Sequence, residues 1–149
     1  MTKMKLLRYL LPLILFVPLM ADAQCRAFTK NRVLPLMSGY VQNDNYNSAQ
    51  LVPGDEAELL LTFYGNKEYR LVVGAHPILG EVDYEVLDTN NQLIYASKDS
   101  KSENKYIFDF KMSSTQQLIV RIRVPDQNSA LTPHEGCVTV MTGYKEIAK

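Results

Sequence analysis

Glu81-Val82-Asp83-Tyr84-Glu85-Val86-Leu87-Asp88-Thr89-Asn90-Asn91-Gln92-Leu93-Ile94-Tyr95-Ala96 is the stretch whose period decides the fold. Val82, Tyr84 and Val86 alternate with Glu81, Asp83 and Glu85. Successive side chains on a strand point to opposite faces, so this pattern describes a strand with one dry and one wet face. Asp88-Thr89-Asn90-Asn91 then offers the Asx side chains that stabilise a tight turn, and Gln92 to Ala96 returns as a second strand.

The same two-residue period extends in both directions. Upstream, Leu59, Leu61 and Phe63 alternate with Leu60, Thr62 and Tyr64; Gly65-Asn66-Lys67-Glu68 makes a turn, and Tyr69 to Val73 follows. Downstream, a polar loop from Ser97 to Asn104 precedes a strand from Tyr106 to Phe110. Leu118, Val120, Ile122 and Val124 line one face of a longer strand, with Arg121 and Arg123 on the other. Pro125-Asp126-Gln127-Asn128 ends it, and a loop through Pro133, His134 and Gly136 leads to a last strand, Cys137 to Met141. Beyond the leader no segment of ten or more residues shows a helical stripe; Ala27 to Gly39 reads as a strand or a short helix. Short strands separated by turns predict an all-β protein, a single jelly-roll-like or Ig-like β-sandwich of seven to eight antiparallel strands over residues 24–149.

The amino terminus has a different grammar. Lys3, Lys5 and Arg8 precede an uncharged run from Tyr9 to Met20, and Ala21-Asp22-Ala23 supplies the small-x-small pattern of a signal-peptidase site. The run is short for a membrane span, which takes about 20 apolar residues, and Pro12 and Pro18 interrupt it. Residues 1–23 are therefore expected to be a signal peptide cleaved between Ala23 and Gln24. Cys25 is not expected to carry a lipid, because Gln24 stands where a lipobox needs a small residue. The two cysteines, Cys25 and Cys137, lie near the two ends of the remaining chain and read as a disulfide in an exported protein. A bridge closing so long a loop stabilises by roughly 4 to 5 kcal/mol in the chain-entropy model.

Leu51-Val52-Pro53-Gly54-Asp55 followed by a strand and by Tyr69 to Val73 resembles the opening of a pre-peptidase C-terminal domain. Gly80 to Asp88 with Leu93-Ile94-Tyr95 is similar to the middle hairpin of that family. The layout also resembles small exported proteins of Bacteroidetes-type bacteria that begin at Ala-Gln after the signal. The resemblance implies a jelly-roll-like sandwich with a non-catalytic role. Such domains usually follow a protease, and no protease sequence is present in this chain.

Composition and motif spacing restrict the chemistry. The formal charge is zero, and losing Lys3, Lys5, Arg8 and Asp22 leaves a slightly acidic domain. That balance argues against nucleic acid or an anionic membrane as partner, since both need concentrated positive charge. His76 and His134 each sit beside a proline in a loop, and neither has cysteine or carboxylate neighbours at ligand spacing. No serine has the Gly-x-Ser-x-Gly context of a nucleophile elbow. Glu81, Asp83 and Glu85 share a strand face, a geometry in which acid–base work is conceivable, but they read better as a solvated face paired across strands, with Arg121 and Arg123 as the obvious partners. Asn43-Asp44-Asn45-Tyr46-Asn47 superficially resembles a calcium loop, yet it has one carboxylate and no closing glutamate; it reads better as a polar loop, and no other cofactor is indicated. There are nine tyrosines and no tryptophan; Tyr40, Tyr46, Tyr64 and Tyr144 fall near strand ends, where they could form a recognition surface.

The expectation is a secreted or periplasmic, non-catalytic binding or structural module that contacts a protein or surface polymer and does not span the membrane. The alternative is a small extracytoplasmic hydrolase with a dispersed active site. The intact mass of the exported protein should begin at Gln24 and gain two alkyl groups only after reduction. A retained leader, a lipid increment on Cys25 or free thiols would overturn this reading.

Overall fold

A computed structural model describes residues 20–42, 46–126 and 134–147; the expected leader up to Leu19 and the Asn43-Asp44-Asn45 part of the candidate calcium loop lie outside them. Helix α1 (Met20–Phe28) continues without a break into a π-helical turn, Thr29–Val33, and a 3-10 turn, Leu34–Met37. Among the described residues nine strands follow: β1 (Val41–Gln42), β2 (Asn47–Leu51), β3 (Glu56–Phe63), β4 (Lys67–Ala75), β5 (Asp83–Asp88), β6 (Leu93–Ala96), β7 (Ile107–Met112), β8 (Gln116–Arg123) and β9 (Gly136–Glu146). They form two antiparallel sheets. In sheet A, β1 and β2 run along one edge of β9, β4 along its other edge, and β7 lies outside β4. Sheet B has the order β3-β8-β5-β6.

The all-β sandwich read from the strand period is the architecture observed. From β3 onward the chain changes sheet at every connection except β5–β6, which is the hairpin signalled by the Asx turn. There Asp88 Oδ1 accepts the backbone N–H groups of Asn90 and Gln92, both at 2.8 Å, and Asn91 takes the left-handed φ of 61°. β1 and β2 are additional to the expected strands. Asn47-Ser48-Ala49-Gln50 presents no apolar alternation, because this edge segment is exposed along almost its whole length.

The alternation that announced the strands places their dry faces together. Phe63, Leu71, Val73, Tyr84, Val86, Leu118, Val120, Ile122 and Val140 are buried between the sheets. Aromatic rings run through this layer: Tyr95 stacks on Phe108 at 4.1 Å, Phe108 on Phe110 at 4.9 Å, and Phe63 meets Phe110 edge-on at 5.1 Å.

The helical stretch resolves Ala27 to Gly39, read from the sequence as a strand or a short helix, in favour of helix. Its buried residues Cys25, Thr29, Val33 and Met37 recur every four positions. An α-helix turns 3.6 residues at a time, so such a stripe drifts by about 40° per step. The wider π turn at Thr29–Val33 takes up that drift and keeps the stripe on the outer face of sheet A. The period therefore matches neither a regular helix nor a strand, which is why the sequence left it ambiguous. Under the stripe, Val33 and Met37 meet Val72 of β4 and Met141 of β9 in a second core.

The contact is close because two strand positions lack a side chain. A methyl group at Gly74 would collide with Val33 Cγ2, and one at Gly143 would lie 2.6 Å from Met37 Cε and 3.0 Å from Tyr40 Cβ. Gly74→Ala should accordingly destabilise the fold by about 1–3 kcal/mol, the usual range for overpacking. Val33→Ala should cost less in that variant than in the parent chain. Strictly additive losses of stability in a denaturant-melting double-mutant cycle would refute the packing account.

Candidate functional site

Two surfaces concentrate the chemistry: the open face of sheet B, and a cleft beside the helix. On sheet B the outward rows follow from the pairing register. Glu56 lies beside Arg123, which lies beside Asp83; the next row is Glu58, Arg121, Glu85. Arg121 Nε donates to Glu58 at 2.5 Å and has Glu56 and Glu85 within 3.7 Å; Arg123 Nε donates to Glu56 at 2.7 Å and Nη1 to Glu85 at 3.3 Å. Each guanidinium is held between carboxylates of both neighbouring strands, an arrangement that stabilises cross-strand pairing.

The acidic strand face read from Glu81, Asp83 and Glu85 is thus divided. Glu85 belongs to the arginine lattice as expected. Glu81 and Asp83 are instead served by Lys105, at 2.6 Å and 3.7 Å. Sequence alone did not single out Lys105, because it stands in the turn before β7, twenty-four positions from Glu81. Glu56 and Glu58 were also missed, although their alternation with Ala57 and Leu59 signals an outward pair.

The next row along the sheet is apolar across all four strands: Leu60, Ile119, Leu87 and Leu93 occupy successive paired positions. Leu60 is 58% exposed and Leu93 56%, and Ile94, at the irregular step of the β5–β6 ladder, is 49% exposed. Beyond this row the face becomes polar again, with Gln117 beside Thr62. A trace of this was present in the sequence. Leu59-Leu60-Leu61, Val86-Leu87, Leu93-Ile94 and Leu118-Ile119-Val120 each put an apolar side chain where alternation calls for a polar one.

The cleft has a volume of about 770 Å³. The helical segment contributes Gln24, Phe28, Asn31 and Arg32, β2 contributes Gln50, the turn after β4 His76, and the approach to β9 Glu135. His76 is fixed in place: its Nδ1 accepts the Ile78 N–H at 3.3 Å, and its ring lies 5.8 Å from that of Phe28. Among the described residues neither histidine is hydrogen-bonded to a serine hydroxyl or a carboxylate, and no group of three or more His, Cys, Asp or Glu could hold a metal ion. Tyr46 and Asn47, the described end of the candidate calcium loop, lead into and begin β2.

Cys25 and Cys137 are joined, with their Cα atoms 5.3 Å apart, so α1 is tied to the start of β9 beside the cleft. Of the four tyrosines near strand ends, Tyr40 is buried and Tyr64 exposed; they do not form one surface. Tyr40 lies under two cations, Arg70 at 4.5 Å and Lys145 at 4.0 Å. Its hydroxyl donates to Glu68 at 3.2 Å. Among the described residues no helix is long and apolar enough to cross a membrane.

No protein-family model and no curated protein sequence matches the chain. Among solved structures, the crystal structure of Aeromonas hydrophila PliG, a periplasmic inhibitor of g-type lysozyme, is similar with a TM-score of 0.49 and 8% identity, covering 72% of this chain and 89% of that one. A de novo designed double-stranded β-helix is similar with a TM-score of 0.31 and 14% identity, over 68% and 99% of the two chains. The sandwich assignment stands on the strand pairing of this chain itself.

The Lys105 hydrogen bond holds the Glu81 carboxyl below its ordinary range. The sign follows directly: a lowered folded-state value stabilises the fold above the ordinary carboxylate range, and that stabilisation is lost as pH falls through the lowered value. An NMR titration should find Glu81 depressed in the parent chain and returned to its ordinary value in Lys105→Met. An unchanged Glu81 titration in that variant would show that Lys105 is not its partner.

Proposed function

We propose that this chain is an exported binding module that holds a protein partner on the open face of sheet B. The observation that carries the reading is the apolar row Leu60, Ile119, Leu87 and Leu93, in register across the outer face of sheet B, buried at Leu87 and exposed at its two ends, Leu60 and Leu93. An antiparallel sheet with one solvated face normally carries polar residues there. A contiguous apolar strip bordered by charge has instead the anatomy of an interface, with a desolvated centre and a polar rim.

The rim gives the partner a chemistry. On the outward positions of β3, β8 and β5, the carboxylates of Glu56, Glu58, Asp83 and Glu85 outnumber the guanidinium groups of Arg121 and Arg123. The complement is a partner with a small apolar centre and lysine or arginine beside it. Export is supported by the basic–apolar leader with its small-x-small end, and by a disulfide that suits an oxidising compartment.

The test begins by identifying a partner through cross-linking of the exported protein and then purifying it. Leu60→Asp and Leu93→Asp should each weaken its binding by at least about tenfold, the scale of a central interface residue. Their melting temperatures should stay near that of the parent, since both side chains are already exposed. Asn31→Asp, on the helical segment, should bind normally. Equal binding by all three variants would eliminate the sheet-B surface as the interface.

A further inference from the structure

The cleft beside the helix has no part in the proposed protein interface. We infer that it is a second site, for a neutral, hydroxyl-rich ligand of the short-oligosaccharide class. Its size lies within the range of small-molecule sites, about 300–1,000 Å³.

The lining determines the class. Gln24, Asn31 and Gln50 bring three primary amides to one opening from two separate elements. Each amide places a donor and an acceptor on neighbouring atoms, the pattern that two adjacent sugar hydroxyls complement. Arg32 and Glu135 add one cation and one anion, so the side chains lining the opening carry no net formal charge. Among the described residues, none of these five side chains makes a hydrogen bond or ion pair within the protein, which leaves their polar atoms available to a ligand. With Nδ1 occupied by the Ile78 N–H, His76 keeps Nε2 for the ligand. Phe28 and Pro77 supply apolar surface for the C–H faces of a sugar ring.

The walls are held before any ligand arrives. The Cys25–Cys137 bridge joins the helical wall to the β9 wall. The His76 N–H donates to the Cys137 carbonyl at 2.8 Å, joining the β4 turn to the same strand. A methyl group at Gly136 would lie 2.6 Å from Leu79 Cγ, so this turn and the start of β9 are packed without slack. Preorganisation of this kind reduces the ordering that a ligand must impose. The π turn that contributes Asn31 and Arg32 adds a second indication, since π-helical segments recur at functional sites.

The experiment is a titration of the exported, disulfide-bonded protein followed by 1H–15N NMR. The probes are neutral oligosaccharides with gluco-, manno-, galacto- and N-acetylglucosamine repeats, with a neutral dipeptide as comparison. At least one saccharide should shift the backbone signals around Asn31, Gln50, His76 and Gly136 and the side-chain amides of Asn31 and Gln50. The double variant Asn31→Ala/Gln50→Ala should weaken that binding about tenfold or more while keeping the parent melting temperature. Leu60→Asp should leave it unchanged, which separates this site from the sheet-B interface whichever of the two fails. The inference is overturned if the whole saccharide panel leaves the cleft signals in place or moves signals on sheet B instead. It is equally overturned if the dipeptide alone binds and Arg32→Gln or Glu135→Gln abolishes that binding.

Discussion

The constraint on which the rest of the structure depends is the seating of the helical segment against sheet A. Sheet A has two apolar faces, and only one can be covered by sheet B. Val72 and Met141 point to the other side, and Val33 and Met37 must reach them. Close approach is possible because Gly74 and Gly143 leave the strand surface bare, and it is locked by polar groups with no freedom of direction. Thr29 Oγ1 donates to the Cys25 carbonyl at 2.8 Å, so its single proton is committed. Thr139 must then donate to Thr29 across 2.7 Å, and Ser48 to Thr139 across 2.9 Å. One directed chain thereby connects β2, β9 and the helix beneath the disulfide. At the far end, Arg70 donates to both oxygens of Asp109, at 2.8 and 2.7 Å, and to the Leu36 carbonyl at 2.9 Å. That last bond satisfies a carbonyl that the end of the 3-10 turn would otherwise leave without an amide partner.

Covering sheet A makes the molecule asymmetric. Within the described residues it consists of a helical layer, sheet A and sheet B, and sheet B alone keeps an uncovered face. The glutamate–arginine lattice on that face would be enough to keep the sheet soluble and in register, because each arginine is shared between strands. Burial of Leu87 contributes to the sheet itself, but nothing in sheet stability requires Leu60 and Leu93, at the two ends of the adjoining row, to be leucine. Exposed apolar side chains gain little in the isolated molecule and raise the risk of aggregation. This is the physical ground for assigning the row to contact with another protein.

Strand identity was legible because burial between two sheets imposes a period of two on a strand with one dry face. β3 and β8 carry it most plainly, whereas β4 and β9 are buried on both faces and read as near-continuous apolar runs, and the Asx turn marks the one local hairpin. What lay beyond reach has specific physical causes. β2 is exposed, so burial imposes no pattern on it. The helical stretch buries every fourth residue by combining α, π and 3-10 turns, a rhythm that no single period describes. The Glu81–Lys105 pair depends on how the loop before β7 folds back. The Leu60 row was partly legible in its runs of two or three consecutive apolar residues, but a row exists only once register aligns four strands. Cys25 and Cys137 paired as expected, because two cysteines permit one internal connection.

The cleft shows how a structural requirement can create a site. A regular α-helix lying flat on sheet A would turn its buried stripe away from the strands within a few turns. The π turn prevents this, and in widening the helix it carries Asn31 and Arg32 outward on the neighbouring flank. The disulfide ties the amino-terminal end of the helix to the start of β9, beside the opening between β2 and the turn at His76. The segment is thus held at its buried edge, and its polar edge faces an opening that packing does not fill. Side chains on that edge are released from the demands of the core. Two amides and one cation on that edge, with Gln50 and Glu135 facing them from β2 and the approach to β9, are therefore informative about a ligand in a way that the composition of the buried stripe is not.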